Sequence, residues 1–150
     1  MSEYSINVIV VEDEKLIAKN IAKHIEHCNP HYKVTNIFSN GADALDFINE
    51  QPPQVVFTDI SMPIMDGIEL VKHIHESKKF IRCVILTGYA DFSYAQSALR
   101  YGVTDYLLKP INSEELQQAL KRIEVSLLAA ADEMIQSPTE GNYKPEEIVT

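Results

Sequence analysis

Short apolar runs and amphipathic runs alternate along most of the 150 residues of this chain. The apolar runs are rich in β-branched residues and lie at residues 6–13, 32–38, 55–59, 82–88 and 104–110. Each is followed by apolar residues at helical spacing, in residues 15–27, 42–50, 67–77, 91–102 and 113–131. Near-continuous apolar strands that alternate with helices are typical of a parallel sheet covered by helices on both faces. The pattern therefore predicts an α/β domain with five strands and five helices.

Residues that begin and end helices support these boundaries. Asp66 precedes the third helical run and has Glu69 three positions later, which predicts an N-cap with a capping box. Gly102 closes the fourth helical run, where glycine is the common residue. Residues 132–150 hold two prolines, one glycine and five acids and show no apolar period. We therefore expect one domain in residues 1–131, followed by a flexible tail or truncated linker in residues 132–150.

Charge and composition argue against several classes of protein. The chain has 13 basic and 22 acidic residues, which is a formal net charge of −9. Such a surface is unsuited to holding nucleic acid or an anionic membrane by this chain alone. No apolar run approaches the roughly 18 residues of a membrane span, and residues 1–10 lack the features of a signal peptide. Cys28 and Cys83 provide no disulfide framework, so we expect a cytoplasmic protein with reduced thiols.

Polar side chains follow four of the predicted strands. The first strand ends in Glu12 and Asp13, the third in Asp59, the fourth in Thr87 and the fifth in Lys109. In open parallel sheets, sites form beyond the carboxyl ends of the strands. If these strands are neighbours, three carboxylates, a hydroxyl group and an ammonium group meet at one edge of the sheet.

That set of groups suits phosphoryl transfer to a carboxylate. Three clustered carboxylates repel one another and attract a cation. Ligation by oxygen alone favours a hard ion such as Mg²⁺ or Mn²⁺. A metal ion and an ammonium group offset charge on the phosphoryl oxygens while a carboxylate oxygen attacks in line. Aspartate is a known acceptor that forms an aspartyl-phosphate.

At these positions the sequence resembles the receiver domain of two-component response regulators. The resemblance is carried by the segments "VVEDE", "FTDISMPIMDGIEL", "VILTGYAD" and "DYLLKPI", in this order on successive strand ends, and covers residues 6–127. The longer segment "GYADFSYAQSALRYGVTDYLLKPI" further resembles receivers that are joined to AraC-type DNA-binding domains. The resemblance implies a flavodoxin-like, doubly wound sheet with strand order 2-1-3-4-5 and an output that regulates transcription.

The resemblance also implies a role for each site residue. Asp59 is expected to take a phosphoryl group from the phosphohistidine of a partner sensor histidine kinase. The Mg²⁺ ligands are expected to be Glu12, Asp13, Asp59 and the main-chain carbonyl of Ser61.

Three further residues are expected to respond to the phosphoryl group. Thr87 is expected to bond it, and Lys109, with a cis Lys109–Pro110 bond, to pair with it. Tyr106 is expected to swing inward behind Thr87. The face formed by the fourth helix, fifth strand and fifth helix is expected to form homodimers. Tyr89, two positions after Thr87, is bulky, and we expect it to hinder the water that removes the phosphoryl group.

Other functions remain open at this point. The leading interpretation is a signalling switch that is not an enzyme. A receiver-like module that binds partners without phosphorylation is one alternative. A Mg²⁺-dependent phosphatase with an aspartyl nucleophile is another, although it would need an acid at the position of Ser61. A flavodoxin-like cofactor binder would need a phosphate-binding loop where this chain has the acidic segment "VEDEK".

Overall fold

The computed structural model of the chain describes residues 4–77, 80–88 and 91–136. The chain divides into two compact units, which separate between Gln117 and Gln118. The first unit holds the sheet, its connecting helices and the start of the last helix. The described part of the second unit is a single helical segment. None of the described helices combines the length and the hydropathy that crossing a membrane requires.

The order of strands and helices follows the predicted alternation. The strands are β1 (Ile6–Val11), β2 (Tyr32–Phe38), β3 (Val55–Asp59), β4 (Arg82–Thr87) and β5 (Asp105–Leu108). The helices are α1 (Lys15–Cys28), α2 (Gly41–Glu50), α3 (Gly67–Glu76), α4 (Phe92–Gln96) and α5 (Ser113–Gln136).

The five strands form one parallel sheet in the order β2-β1-β3-β4-β5, which confirms the predicted topology. The register aligns the carboxyl ends of neighbouring strands. Val11 on β1 pairs with Thr58 on β3, and Thr87 on β4 pairs with Leu108 on β5. The polar residues at or just after the ends of these strands therefore lie along one edge of the sheet.

Both faces of the central strands are buried. Ile9 and Val10 are adjacent on β1 and are both fully buried. Since successive side chains on a strand point to opposite faces, burial of both means that each face is covered. Ile9 belongs to a cluster that includes Ile48 of α2 and Leu70 of α3. This two-sided burial explains why the sequence of the strands is nearly continuously apolar.

Side chains and glycine define several helix ends, two of which were predicted. The Asp66 carboxylate caps α3, because its Oδ1 accepts a hydrogen bond from the Glu69 main-chain N–H at 2.8 Å. Asn40 caps α2 in the same way. Gly102 ends the helical segment after α4 with a left-handed φ of 69°. The prediction of an N-cap at Asp66 and of a C-terminal glycine at residue 102 is therefore confirmed.

Two helices differ from the sequence prediction. The fourth helical run, predicted as one helix over residues 91–102, is split into α4 and a 3-10 segment, Ser97–Tyr101. At the junction the Ser97 hydroxyl donates to the Tyr94 main-chain carbonyl at 2.6 Å, a local bond that competes with regular helix geometry. Helix α5 continues to Gln136, past the predicted end at residue 131, since the added residues include good helix formers. The rest of the predicted tail, residues 137–150, lies outside the described residues.

Candidate functional site

Three carboxylates meet at the carboxyl edge of the sheet. Glu12 and Asp13 follow β1, and Asp59 is the last residue of β3. One carboxylate oxygen from each of the three lies within 4.8 Å of the others. Glu12 is 2% exposed and Asp59 is 9% exposed, whereas Asp13 faces solvent. The predicted convergence of strand ends therefore brings these three acids together.

Lys109 supplies the ammonium group that joins two of these acids. Its Nζ lies 2.9 Å from Glu12 Oε1 and 3.2 Å from Asp59 Oδ1. Its main-chain N–H donates to the Thr87 carbonyl at 2.7 Å, so Lys109 continues the alignment of β5 with β4. The Lys109–Pro110 peptide bond is cis, as predicted.

Burial and charge shift the pKa values at this site. Burial, with a smaller contribution from the Asp59 charge, raises the pKa of Glu12. The bonds that Glu12 accepts from Lys109 and from the Glu14 N–H offset only part of this increase. Burial by itself would lower the pKa of Lys109, but the bond to Glu12 and the charge of Asp59 outweigh it and raise the pKa. The lysine therefore stays charged, and its single positive charge faces three carboxyl groups, a set of groups that favours a further cation.

The Asp59 side chain is held by one of its two oxygens. Oδ1 accepts from the Ile60 N–H at 2.9 Å and faces the Lys109 ammonium. Within the part of the chain that the structure describes, both of these partners contact Oδ1, which leaves Oδ2 for a reaction.

The start of α3 presses on the main chain of Asp59. Gly67 donates its N–H to the Ile60 carbonyl at 2.9 Å. A Cβ atom at Gly67 would overlap the carbonyl oxygen of Asp59 and lie 2.9 Å from its carbonyl carbon. Glycine at this position therefore permits α3 to begin directly against the strand that carries Asp59.

Thr87 and Tyr106 lie on the two strands beside this cluster but have other partners. The Thr87 side chain is fully buried, and its hydroxyl donates to the Gly88 carbonyl at 3.0 Å. Tyr106 is half-buried and packs against the apolar cluster on one face of the sheet. Thr87 is the last residue of β4, whereas Tyr106 lies two residues before the end of β5. Their roles as switch residues stay predictions. Tyr89, the other residue named for this region, lies outside the described residues.

The donor set fits a hard divalent cation. The three carboxylates offer only oxygen, which suits Mg²⁺. Among residues 4–77, 80–88 and 91–136, no other group of three or more His, Cys, Asp or Glu residues converges in this way. Ser61 lies two residues after Asp59 and lines a cavity of about 480 Å³ together with Asp13. The role of the Ser61 main-chain carbonyl as a fourth ligand stays a prediction from the resemblance.

One contact at the rim of the site was not predicted from the sequence. The Tyr94 hydroxyl on α4 donates to Asp66 Oδ2 at 3.0 Å. Asp66 was identified only as a helix cap, which uses its other oxygen. The two residues are 28 positions apart, and neither the apolar period nor a local motif indicates such a pair.

Comparison with known proteins places these observations in a family. Residues 8–121 match the family described as "Response regulator receiver domain". The receiver domain of AraT, a response regulator from Geobacillus stearothermophilus, shares the fold with a TM-score of 0.77 and 33% sequence identity. That match covers 84% of this chain and 98% of the AraT domain.

Two curated bacterial regulators are also similar. The uncharacterized transcriptional regulatory protein YesN of Bacillus subtilis is 34% identical over 116 residues, which are 77% of this chain and 32% of YesN. The transcriptional regulatory protein HptR of Staphylococcus aureus is 31% identical over 121 residues, which are 81% of this chain and 47% of HptR. The chain thus spans about a third to a half of the length of these relatives.

Proposed function

We propose that this chain, which belongs to the family of response regulator receiver domains, is a phosphoacceptor signalling switch. In this proposal Asp59 takes a phosphoryl group from a phosphohistidine of a sensor histidine kinase. The single observation that carries the proposal is the cluster of Glu12, Asp13 and Asp59 with the Lys109 ammonium across it. A helix cap or a structural ion pair would not require three acids from two strand ends and a lysine from a third.

The reaction proceeds by attack of a carboxylate oxygen on phosphorus. Asp59 Oδ2 forms the new O–P bond as the P–N bond of the donor breaks, and the departing imidazole nitrogen takes a proton from water. Lys109, already 3.2 Å from Asp59 Oδ1, exchanges part of its contact with Glu12 for the transferred phosphoryl oxygens. A bound Mg²⁺ would offset charge on those oxygens. It would be held by Glu12, Asp13, Asp59 and the Ser61 carbonyl.

The signal leaves the site through β4 and β5. The Thr87 hydroxyl now bonds the carbonyl of its neighbour Gly88, so it can reach a phosphoryl oxygen only by rotating or moving. Tyr106, on the neighbouring strand, then moves inward behind it. Both steps shift a population between two arrangements of the domain and involve no catalytic turnover.

The partners follow from the same proposal. The similar proteins YesN and HptR are transcriptional regulators and are two to three times longer than the matched region. We therefore place this receiver in a cytoplasmic transcriptional regulator, with a histidine kinase as phosphodonor. The face formed by α4, β5 and α5 is the proposed homodimer surface.

Intact mass after incubation with acetyl phosphate and Mg²⁺ tests the central step. The expected result is a gain of one phosphoryl group that is lost with EDTA and in Asp59→Ala. Asp46→Ala, which removes an exposed acid from α2, is the matched control and should keep the adduct. An adduct that persists in Asp59→Ala would contradict the assignment of Asp59. Release of phosphate at high turnover, without an accumulated adduct, would favour the phosphatase alternative.

A further inference from the structure

A side-chain bridge connects α4 to the loop that follows β3. The Tyr94 hydroxyl donates to Asp66 Oδ2 at 3.0 Å, while Asp66 Oδ1 accepts from the Glu69 N–H at 2.8 Å. Asp66 is therefore fixed in place by the start of α3, and Tyr94 binds to a rigid acceptor. Tyr94 is otherwise 48% exposed, so the bridge determines where its ring lies more than core packing does.

The bridge lies on the wall of the cavity that reaches the candidate site. This cavity of about 480 Å³ is lined by Asp13, Ile60, Ser61, Met62, Pro63, Asp66, Asp91 and Tyr94. One side of it carries Asp13 and Ser61, two of the expected metal ligands. Ser61 and Asp66 belong to the loop after β3 and Tyr94 belongs to α4, so the hydrogen bond between Asp66 and Tyr94 joins that loop to the helix beside the cavity. The Tyr94 side chain thus forms part of the wall of the space that leads to Asp13 and Ser61, next to Asp59.

Both ends of the bridge are tied to residues at the site by short stretches of chain. Asp66 precedes Gly67, which is in direct contact with the main chain of Asp59. On the other side, Asp91 donates its N–H to the carbonyl of Gly88, the residue after Thr87, and α4 begins at the next residue. A change in the bridge therefore alters the walls around Asp59 and Thr87 without removing a group that reacts.

We propose that Tyr94 is a positioning residue for the reaction at Asp59, because its bond to Asp66 keeps the phenol ring across the cavity and limits access of phosphoryl donors and hydrolytic water. The inference rests on the proposed function. Burial, and then the bond to Asp66 and the charge of that acid, raise the pKa of the Tyr94 phenol. The hydroxyl therefore remains a donor throughout the physiological range.

Tyr94→Phe tests the proposal by removing only the hydroxyl. Without the bond the ring is free to turn toward solvent, so adduct formation and adduct hydrolysis should both accelerate, by about two- to tenfold. The gain in the second-order rate constant of adduct formation should be larger for acetyl phosphate than for the smaller donor phosphoramidate, because access is what changes. The affinity for Mg²⁺, measured by calorimetry, should stay within about twofold of wild type, since the ligands are untouched.

Two further variants separate the bond from other effects. Asp66→Asn removes the charge but keeps the helix cap, and its amide can donate to the phenol oxygen, so its rates should stay closer to wild type than those of Tyr94→Phe. Tyr101→Phe removes a hydroxyl from the 3-10 segment that follows α4, at a residue that does not line the cavity. Its rates of adduct formation and hydrolysis should equal those of wild type.

The outcomes distinguish the inference from the function on which it rests. If wild type forms no adduct with either donor, the proposed function fails and the inference fails with it. If wild type forms the adduct and Tyr94→Phe behaves like Tyr101→Phe, the inference alone is overturned. It is also overturned if Tyr94→Phe changes the Mg²⁺ affinity as much as the rates, because the residue would then support the whole site structurally.

Discussion

Replacement of Gly67 by alanine should destabilise the domain, although Gly→Ala in a helix normally stabilises it. The usual gain is about 0.4–1 kcal/mol, because alanine restricts the unfolded chain. At Gly67 the added Cβ would overlap the Asp59 carbonyl oxygen and lie 2.9 Å from its carbonyl carbon. These neighbours are main-chain atoms of a central strand, so they cannot move away as a flexible side chain does.

The magnitude follows from the adjustment that this contact requires. Overpacking of a well-packed core costs about 1–3 kcal/mol. Displacement of α3 would also weaken the 2.9 Å hydrogen bond from the Gly67 N–H to the Ile60 carbonyl, which is worth about 0.5–1.5 kcal/mol. After subtraction of the usual gain, we expect Gly67→Ala to lower the free energy of unfolding by about 0.5–4 kcal/mol. Because the clash is with Asp59 itself, adduct formation should also slow.

Two other glycines are matched controls. Gly41 is also the first residue of a helix with a side-chain cap, and its Cβ would lie 2.8 Å from the Met65 carbonyl oxygen. Gly41→Ala should therefore lower the free energy of unfolding by a smaller amount, about 1–2 kcal/mol. Among the described residues, a Cβ at Gly88 would meet no atom within 4 Å, so Gly88→Ala should change stability by less than about 0.5 kcal/mol.

Urea denaturation monitored by circular dichroism measures all three variants. The urea concentration at the midpoint should be near the wild-type value for Gly88→Ala, lower for Gly41→Ala and lowest for Gly67→Ala, and the m-value should stay constant. The reasoning is refuted if Gly67→Ala unfolds at the wild-type midpoint, or if Gly88→Ala is the least stable of the three. Loss of stability without slower adduct formation would refute only the link between Gly67 and the position of Asp59.

Three further perturbations test the electrostatics of the fold. Mg²⁺ should raise the melting temperature of wild type, and Asp13→Asn should abolish that increase. In EDTA, Asp13→Asn should raise the free energy of unfolding by about 1 kcal/mol, because one of three mutually repelling carboxylates is neutralised. A less stable Asp13→Asn in EDTA would contradict this. Lys109→Met should lower stability in EDTA by about 2 kcal/mol or more, because Glu12 and Asp59 lose their shared cation, and calorimetry showing an unchanged enthalpy and melting temperature would contradict it. Burial raises the pKa of Cys83 from 9.0 to about 12, so its contribution to stability is fully present below pH 9 and is lost as the pH rises toward 12. Between about pH 9 and 12 the free energy of unfolding should decrease more steeply with pH for wild type than for Cys83→Val. Equal decreases in the two proteins would show that Cys83 does not contribute.

Much of the fold was predictable because it depends on local and periodic properties of the sequence. The spacing of apolar residues places all five strands correctly, with shifts of one or two residues at their ends. The caps at Asp66 and Gly102 follow from side-chain chemistry within a few positions of the chain. The prediction was wrong for the fourth helical run, where the Ser97 hydroxyl bonds the Tyr94 carbonyl and a short α-helix gives way to a 3-10 segment. Propensity alone does not reveal that competition, because it depends on one side-chain rotamer.

The candidate site was also predictable only in part. That acids and a lysine follow successive strands can be read from the sequence, and the rule for open parallel sheets predicts that they meet. The distances that make them a site, such as 2.9 Å between Lys109 and Glu12, depend on a register shared by β1, β3, β4 and β5.

The amino-acid sequence by itself therefore determined the order of strands and helices and the set of reactive groups, since both depend on residue type and local spacing. Tertiary structure decided which oxygen of Asp59 is occupied, the direction of the Thr87 hydroxyl, and the bond between Tyr94 and Asp66. The Lys109 contact with Asp59 and the Tyr94 bond to Asp66 join residues that are far apart in the chain, whereas the buried Thr87 hydroxyl bonds the adjacent Gly88. The energies of the long-range contacts become favourable only after the sheet and helices have assembled. That is the physical reason why no local pattern in the sequence records them.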